Sequence, residues 1–352
     1  MRGHRMKPTT HTLRLPSGML LEASTLGGIV TRLLVPDRKG KLANVVLSLP
    51  DVRDHHANGY VNALIGRVGN RVSRGGFDLD GVFFPVAKNS GAGKKACHLH
   101  GGERGFDQHV WSAREFAGAG GPALELTTFS PAGEEGYPGN LSVRVVYSIS
   151  DSAAPSWRVE YWAVADAPTV VNLTQHAYFN LSGGRRDVSD HEIAVSASRF
   201  TEVDAALLPT GRVPSVEGTA LDLREPVRLG DLFARARKDP QLKLVGGGLD
   251  HNFVLDRDGS SGLELMASFA DPESGRRMFV MTTEPCMQVY SANFLKPGLK
   301  GRGGAVYGPH WACCFETQHA PDSPNQAGFP SIRLDPGRVY HSVTEYVFDV
   351  DD

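Results

Sequence analysis

Apolar and polar residues along this chain change over short runs, with glycine and proline between them. Residues 19–26, 29–36, 43–49, 141–150, 157–165, 192–200, 278–283 and 339–348 alternate or carry β-branched and aromatic side chains, which predicts strands. Asp80-Gly81 lies amid apolar residues between positions 77 and 86, a local hairpin signal. Only residues 229–238 carry a helical pattern, and it is short. Strands therefore do not alternate with helices, which argues against a parallel βαβ sheet. The expected class is all-β, a large antiparallel β-sandwich. No repeat, low-complexity tract or linker divides the chain. The expectation is a single domain over residues 1–352, with residues 1–11 a flexible N-terminal extension.

Composition narrows the function more than the fold. With 352 residues the chain can bury a sizeable core, and 41% hydrophobic with 22% charged residues is ordinary for a globular protein. A formal net charge of −2 speaks against a nucleic-acid surface, which needs clustered uncompensated Lys and Arg. No apolar run approaches the ~20 residues that span a bilayer. The basic, polar stretch 1–12 lacks the apolar segment of a signal peptide, so the cytoplasm is expected. Cys97, Cys286, Cys313 and Cys314 form no CxxC pair and no disulfide framework; small buried thiols are expected.

Five segments hold more hydrogen-bonding side chains than a sheet surface needs. They are Gly66-Arg67-Val68-Gly69-Asn70-Arg71, His98-Leu99-His100-Gly101-Gly102, residues 172–180 (Asn-Leu-Thr-Gln-His-Ala-Tyr-Phe-Asn), Leu249-Asp250-His251-Asn252-Phe253 and Phe315-Glu316-Thr317-Gln318-His319. Donors, acceptors and titratable groups are mixed there with aromatics and glycine, as a site for a neutral polyhydroxy ligand requires. In this order and at these separations, the segments resemble the aldose 1-epimerase family. Gly66-Arg67-x-x-Asn70-Arg71, His100-Gly101-Gly102 followed by Gly105-Phe106 and Trp111, Glu135-Gly136-Tyr137-Pro138-Gly139, residues 172–183, and Glu316-Thr317-Gln318-His319 through Pro321-Asp322-Ser323-Pro324-Asn325 carry the likeness. It runs over residues 13–348. Cys97-His98 departs from the polar pair that often stands in the family at that place.

The resemblance implies a supersandwich of the galactose mutarotase type with the sugar in an open cleft, and no cofactor or metal. It makes Glu316 the general base and His176 the general acid. Asn70, Arg71, His100, Asp250 and Gln288 become ligands of sugar hydroxyls, with Tyr178 in the cleft wall. A monosaccharide is the implied partner of a monomer or homodimer, with no nucleic acid and no membrane.

These residue types suit anomer exchange. Opening a cyclic hemiacetal removes the C1 hydroxyl proton while the ring oxygen receives one. A carboxylate and an imidazolium, with ordinary pKa values of about 4.3 and 6.5, can do both. Held close, each charge is expected to favour the charged form of its partner. Other readings stay open. Glu316 could belong to a structural ion pair and His176 could be a bonded core histidine. Arg71 could pair with Asp78 or Asp80, and Asp250 could cap its own turn. Glu316 and Asp250 could be the two carboxylates of a glycoside hydrolase. A non-catalytic sugar-binding protein, a metal site on His98 and His100, and a hexose-phosphate pocket on Arg67, Arg71 and Arg74 complete the alternatives. His98, His251 and His319 are read as structural.

Overall fold

In a computed structural model, which describes residues 7–93, 96–152 and 154–351, every named strand pairs antiparallel. A nine-stranded sheet runs in the order Ser112–Gly118, Gly121–Ser130, Leu141–Ser150, Ser156–Ala165, Tyr340–Val350, Arg276–Thr282, Glu264–Asp271, Glu192–Val195 and Val227–Arg228. Its strands obey the two-residue period: Trp157, Val159, Tyr161 and Ala163 are buried, while the residues between them are more open. A four-stranded sheet of Thr10–Arg14, Leu20–Ser24, Val30–Pro36 and Leu42–Asn44 packs at one side.

The sheet that matters for function is smaller. Arg199–Phe200, Asp250–Val254, Cys286–Tyr290 and Cys314–Gln318 lie side by side in that order. Alternation divides its two faces. Phe315 enters the main core, with its ring 5.4 Å from Phe269 and 6.4 Å from Phe179, and Tyr346 of the large sheet donates to its carbonyl at 3.3 Å. Fully burying such a ring stabilises the layer pair by about 1.5–3 kcal/mol. The neighbouring Glu316 is thereby turned to the opposite face.

The predicted elements recur with instructive differences. The hairpin forms as Gly76–Leu79 and Val82–Pro85, and Asp80 and Gly81 both take positive φ (52° and 78°), the conformation of a tight hairpin turn. The helix is Leu229–Ala236. The strand expected at 43–49 stops at Asn44, whose side chain accepts from Leu33 N at 2.7 Å and donates to Val46 O at 2.9 Å, diverting the backbone from its ladder. The run 192–200 divides, Glu192–Val195 joining the large sheet and Arg199–Phe200 the small one. Two further short helices form, Asp54–Ala57 and Pro240–Leu244; Asp239 caps the latter by accepting from Gln241 N and Leu242 N at 2.8 and 3.0 Å, with proline in the first turn. The expected flexible extension 1–11 is corrected at its end. Thr10 and His11 pair with Ser24 and Ala23, and Thr9 N donates to Thr25 Oγ1 at 2.8 Å. Residues 1–6 lie outside the described residues.

Four buried imidazoles make stability acid-sensitive. Burial lowers His98, His176, His191 and His251 to about 4. Their folded-state values lie below the ordinary 6.5, so the unfolded chain binds more protons between pH 6.5 and 4. Their contribution is therefore intact above pH 6.5 and is lost as pH falls toward 4, each by up to ~1.4 kcal/mol per pH unit. The Tm should fall steeply across that window in thermal melts; a flat profile would contradict the burial of these rings.

Candidate active site

Three groups of short strands bring the candidate side chains together. The register sets Asp250 opposite Tyr290, and Gln288 opposite both Asn252 and Glu316. Thr174–Gln175 pairs with Leu64–Ile65, and just beyond it His176 N donates to Ala63 O at 2.9 Å. Arg71–Val72 pairs with His98–Leu99, which places Asn70 against His100. Their bonds are reciprocal: His100 N donates to Asn70 O at 3.1 Å, and Asn70 N donates to His100 Nδ1 at 3.2 Å. Because Nδ1 accepts, the ring proton sits on Nε2. Tyr60, Asn70 and His100 all hold positive φ (58°, 60° and 52°), backbone that persists only where its surroundings enforce it. Gly101 is part of that enforcement: at φ 89° a Cβ would stand 1.8 Å from Gly66 O, so only glycine fits beside the Gly66-Arg67 segment.

Around these elements lies a cavity of about 170 Å³. Asn70, Arg71, His100, His176, Tyr178, Asp250 and Glu316 all line it, as the sequence reading expected. Tyr60, Tyr290 and Phe294 also line it, and that reading missed them. Gln288 is the exception among the expected ligands. It does not line the cavity; its amide donates to Asp250 Oδ1 at 2.7 Å and so fixes the carboxylate that does. Tyr178 donates to Gly59 O at 2.7 Å and lies nearly parallel to the His176 ring, 5.1 Å away at 14°.

His176 Nε2 and Glu316 Oε1 stand 3.6 Å apart, with both side chains almost fully buried. His176 Nδ1 and Glu316 Oε2 have no protein partner among the described residues. The expectation that the two would hold each other charged is overturned. Burial lowers His176 to about 4. Burial likewise raises Glu316 well above the carboxylate range; the Asp250 charge adds to this, and Arg71 opposes it. Burial is the first cause of both shifts, so each group is biased toward its neutral form. His100 is lowered too, by burial first and then by the His176 charge. Asp250 is raised by burial against the pull of Arg71 and Gln288.

The structure also disposes of several alternatives. Arg71 pairs with neither candidate, since Asp78 bonds Arg74 and Asp80 bonds Arg333. Arg67 is 2% exposed and its guanidinium is spent on the carbonyls of Ser130, Pro131, Pro138 and Gly139, so Arg67, Arg71 and Arg74 do not converge on a phosphate pocket. Glu135-Gly136-Tyr137-Pro138-Gly139 is structural in the same way, with Tyr137 OH 2.6 Å from His98 Nε2. His98 Nδ1 meets Ala87 O at 2.8 Å, which leaves it no ligand role beside His100. Among the described residues the grouping of possible metal donors is His100, His176 and Glu316, whose ligand atoms lie within 4.8 Å of one another.

A buried carboxylate and imidazole in a small cavity of hydrogen-bonding side chains and aromatic walls, on an antiparallel β scaffold, is the arrangement expected of an enzyme of the carbohydrate epimerase class. Comparison with known proteins supplies the family. The sequence profile of the aldose 1-epimerase family matches residues 9–347. The chain is 40% identical to galactose mutarotase from Homo sapiens, covering 97% of this chain and 95% of that one. It is 31% identical to aldose 1-epimerase from Escherichia coli K12, covering 96% and 94%. Two solved structures share the fold: an aldose epimerase homologue from C. elegans (TM-score 0.85, 25% identity, covering 98% and 100%) and galactose 1-epimerase from Lactobacillus acidophilus (TM-score 0.81, 26% identity, covering 99% and 100%). This chain belongs to the aldose 1-epimerase family.

Proposed function

We propose that the protein interconverts the α and β anomers of free aldoses such as galactose or glucose, with Glu316 as general base and His176 as general acid. The observation that supports this most directly is the 3.6 Å separation of His176 Nε2 and Glu316 Oε1 inside the cavity. With both groups biased toward their neutral forms, moving one proton from Glu316 to His176 gives the carboxylate and imidazolium that the reaction needs, with no proton gained or lost. Burial then works in favour of catalysis. A carboxylate whose pKa is raised is a stronger base toward the C1 hydroxyl, and an imidazolium whose pKa is lowered is a stronger acid toward the ring oxygen. Ring opening loads Glu316 and empties His176. The aldehyde rotates about C1–C2 and closes on its other face as both transfers reverse.

Arg71, Asp250, Asn70 and the Nε2–H of His100 offer donors and acceptors to the remaining hydroxyls, and Tyr60, Tyr178 and Tyr290 cover apolar sugar faces. Replacing Arg71 or Asp250 by Ala should raise KM tenfold or more, because a hydrogen bond to a charged group is worth about 1.5–3 kcal/mol. Unchanged KM in both variants would remove them from the site.

The reading takes the chain as one domain that acts without a cofactor. Since two proton transfers suffice, dialysis against a chelator should leave the rate untouched. Activity lost on chelation and restored by Zn²⁺ would instead assign His100, His176 and Glu316 to a metal. The cytoplasm is the compartment we favour, supported by four buried free cysteines. Among the described residues no helix is long and apolar enough to cross a membrane. Polarimetry of fresh α-galactose and α-glucose, with and without the protein, tests the activity.

A further inference from the structure

A second carboxylate–imidazole pair, its carboxylate buried and its imidazole partly exposed, lies at the opposite end of the strands that carry Glu316 and Gln288. Glu284 precedes Cys286–Tyr290 and His319 follows Cys314–Gln318, and the register Cys286↔Gln318 brings the two strand ends together. Glu284 is 3% exposed and accepts from His319 Nδ1 at 2.7 Å. Asn172 fixes the His319 backbone at both ends, accepting from its N at 2.9 Å and donating to its O at 3.1 Å. Glu284 is sealed while the His319 ring is 24% exposed, so the pair meets solvent through the imidazole.

The pair opens onto a cavity of about 540 Å³, roughly three times the volume at Glu316. With Nδ1 committed to Glu284, His319 presents Nε2, which has no partner among the described residues and is not sealed from solvent. Burial pulls the His319 pKa down, but the Glu284 bond and charge outweigh it and leave it raised, so the ring is biased toward the imidazolium. Arg333 at the same cavity is engaged by Asp80 and Asp335. Arg338 is exposed and forms no ion pair among the described residues. Val171 and Ile332 border the cavity but are almost fully buried, so its lining is mostly polar.

We propose that this cavity is a second ligand site, which takes a small molecule whose single carboxylate or phosphate group is held by His319 Nε2–H and the Arg338 guanidinium. With Glu284 paired to His319 and Asp335 to Arg333, Arg338 is left at the cavity without an ion pair among the described residues, which favours an anionic group over a neutral sugar. The site is separate from the cavity at Glu316: no residue lines both.

Phenyl phosphate and benzoate, titrated separately without galactose and then challenged with galactose in excess, test this through the His319 side-chain NMR signal and calorimetry. The expected result is saturable one-site binding of at least one probe, with a shift of the His319 resonance. Tighter binding of phenyl phosphate assigns the anion as phosphate, and of benzoate as carboxylate. Arg338→Ala, a surface change, should weaken that binding tenfold or more. The proposal is overturned if neither probe moves the His319 signal, if added galactose displaces the probe, or if Arg338→Ala binds as tightly as the parent.

Discussion

Glu316→Gln should lower kcat by about 10²–10⁴-fold, the usual worth of a positioned proton-transfer group. The amide has the size and shape of the acid it replaces, so the 2% exposed position between Gln288 and the cavity should remain filled. What disappears is the basic oxygen. Burial makes that oxygen unusually basic, and Asp250 beside it adds to the effect, so its loss is felt fully. Sugar affinity should change little, because Arg71, Asp250 and His100 still line the cavity. Initial rates from polarimetry with galactose decide the matter. A variant that keeps more than about half the parent rate would mean the base has been misassigned.

His176→Asn is expected to cost a comparable factor, about 10²–10⁴ in kcat, by removing the proton donor to the ring oxygen. Asparagine is smaller than histidine and also gives up the stack on Tyr178, 5.1 Å away, so some rise in KM should accompany the fall in kcat. The double variant carries the sharper information. Opening the ring needs both transfers together, and groups that act as a unit are strongly non-additive. Its kcat should lie close to that of the weaker single variant and far above the product of the two losses. Fully multiplicative losses would show that Glu316 and His176 act independently, against the paired mechanism. Both variants, and the parent, should leave an aryl galactoside intact. Its cleavage would instead favour a hydrolase built on Glu316 and Asp250.

Most of the site was legible because its residues stand in dense polar segments on strands. Glu316 directly follows the apolar run Trp311–Phe315, where a carboxylate is costly unless it is paired. Tyr60, Tyr290 and Phe294 were not legible, since an aromatic residue in a β-rich chain is ordinarily core, and only the fold shows these to line the cavity. Gln288 was read as a ligand because sequence separation cannot tell a residue that touches the sugar from one that holds Asp250. Protonation was misjudged for a related reason: charge attraction follows from residue identity, whereas the desolvation that overrides it depends on depth, which the chain reveals only when folded. At the level of the fold, strands with clean alternation, such as Leu141–Ser150, were read to the residue. Those interrupted by a side chain that bonds the backbone, as Asn44 does, were read too long.

The central claim is that this protein exchanges sugar anomers through Glu316 and His176. Polarimetry of freshly dissolved α-galactose, run side by side in buffer, with the parent and with Glu316→Gln, tests it most directly. The account predicts that all three solutions reach the same final rotation, the parent far faster than buffer and the variant at most a hundredth as fast as the parent. A parent curve that overlays the buffer curve would contradict the account.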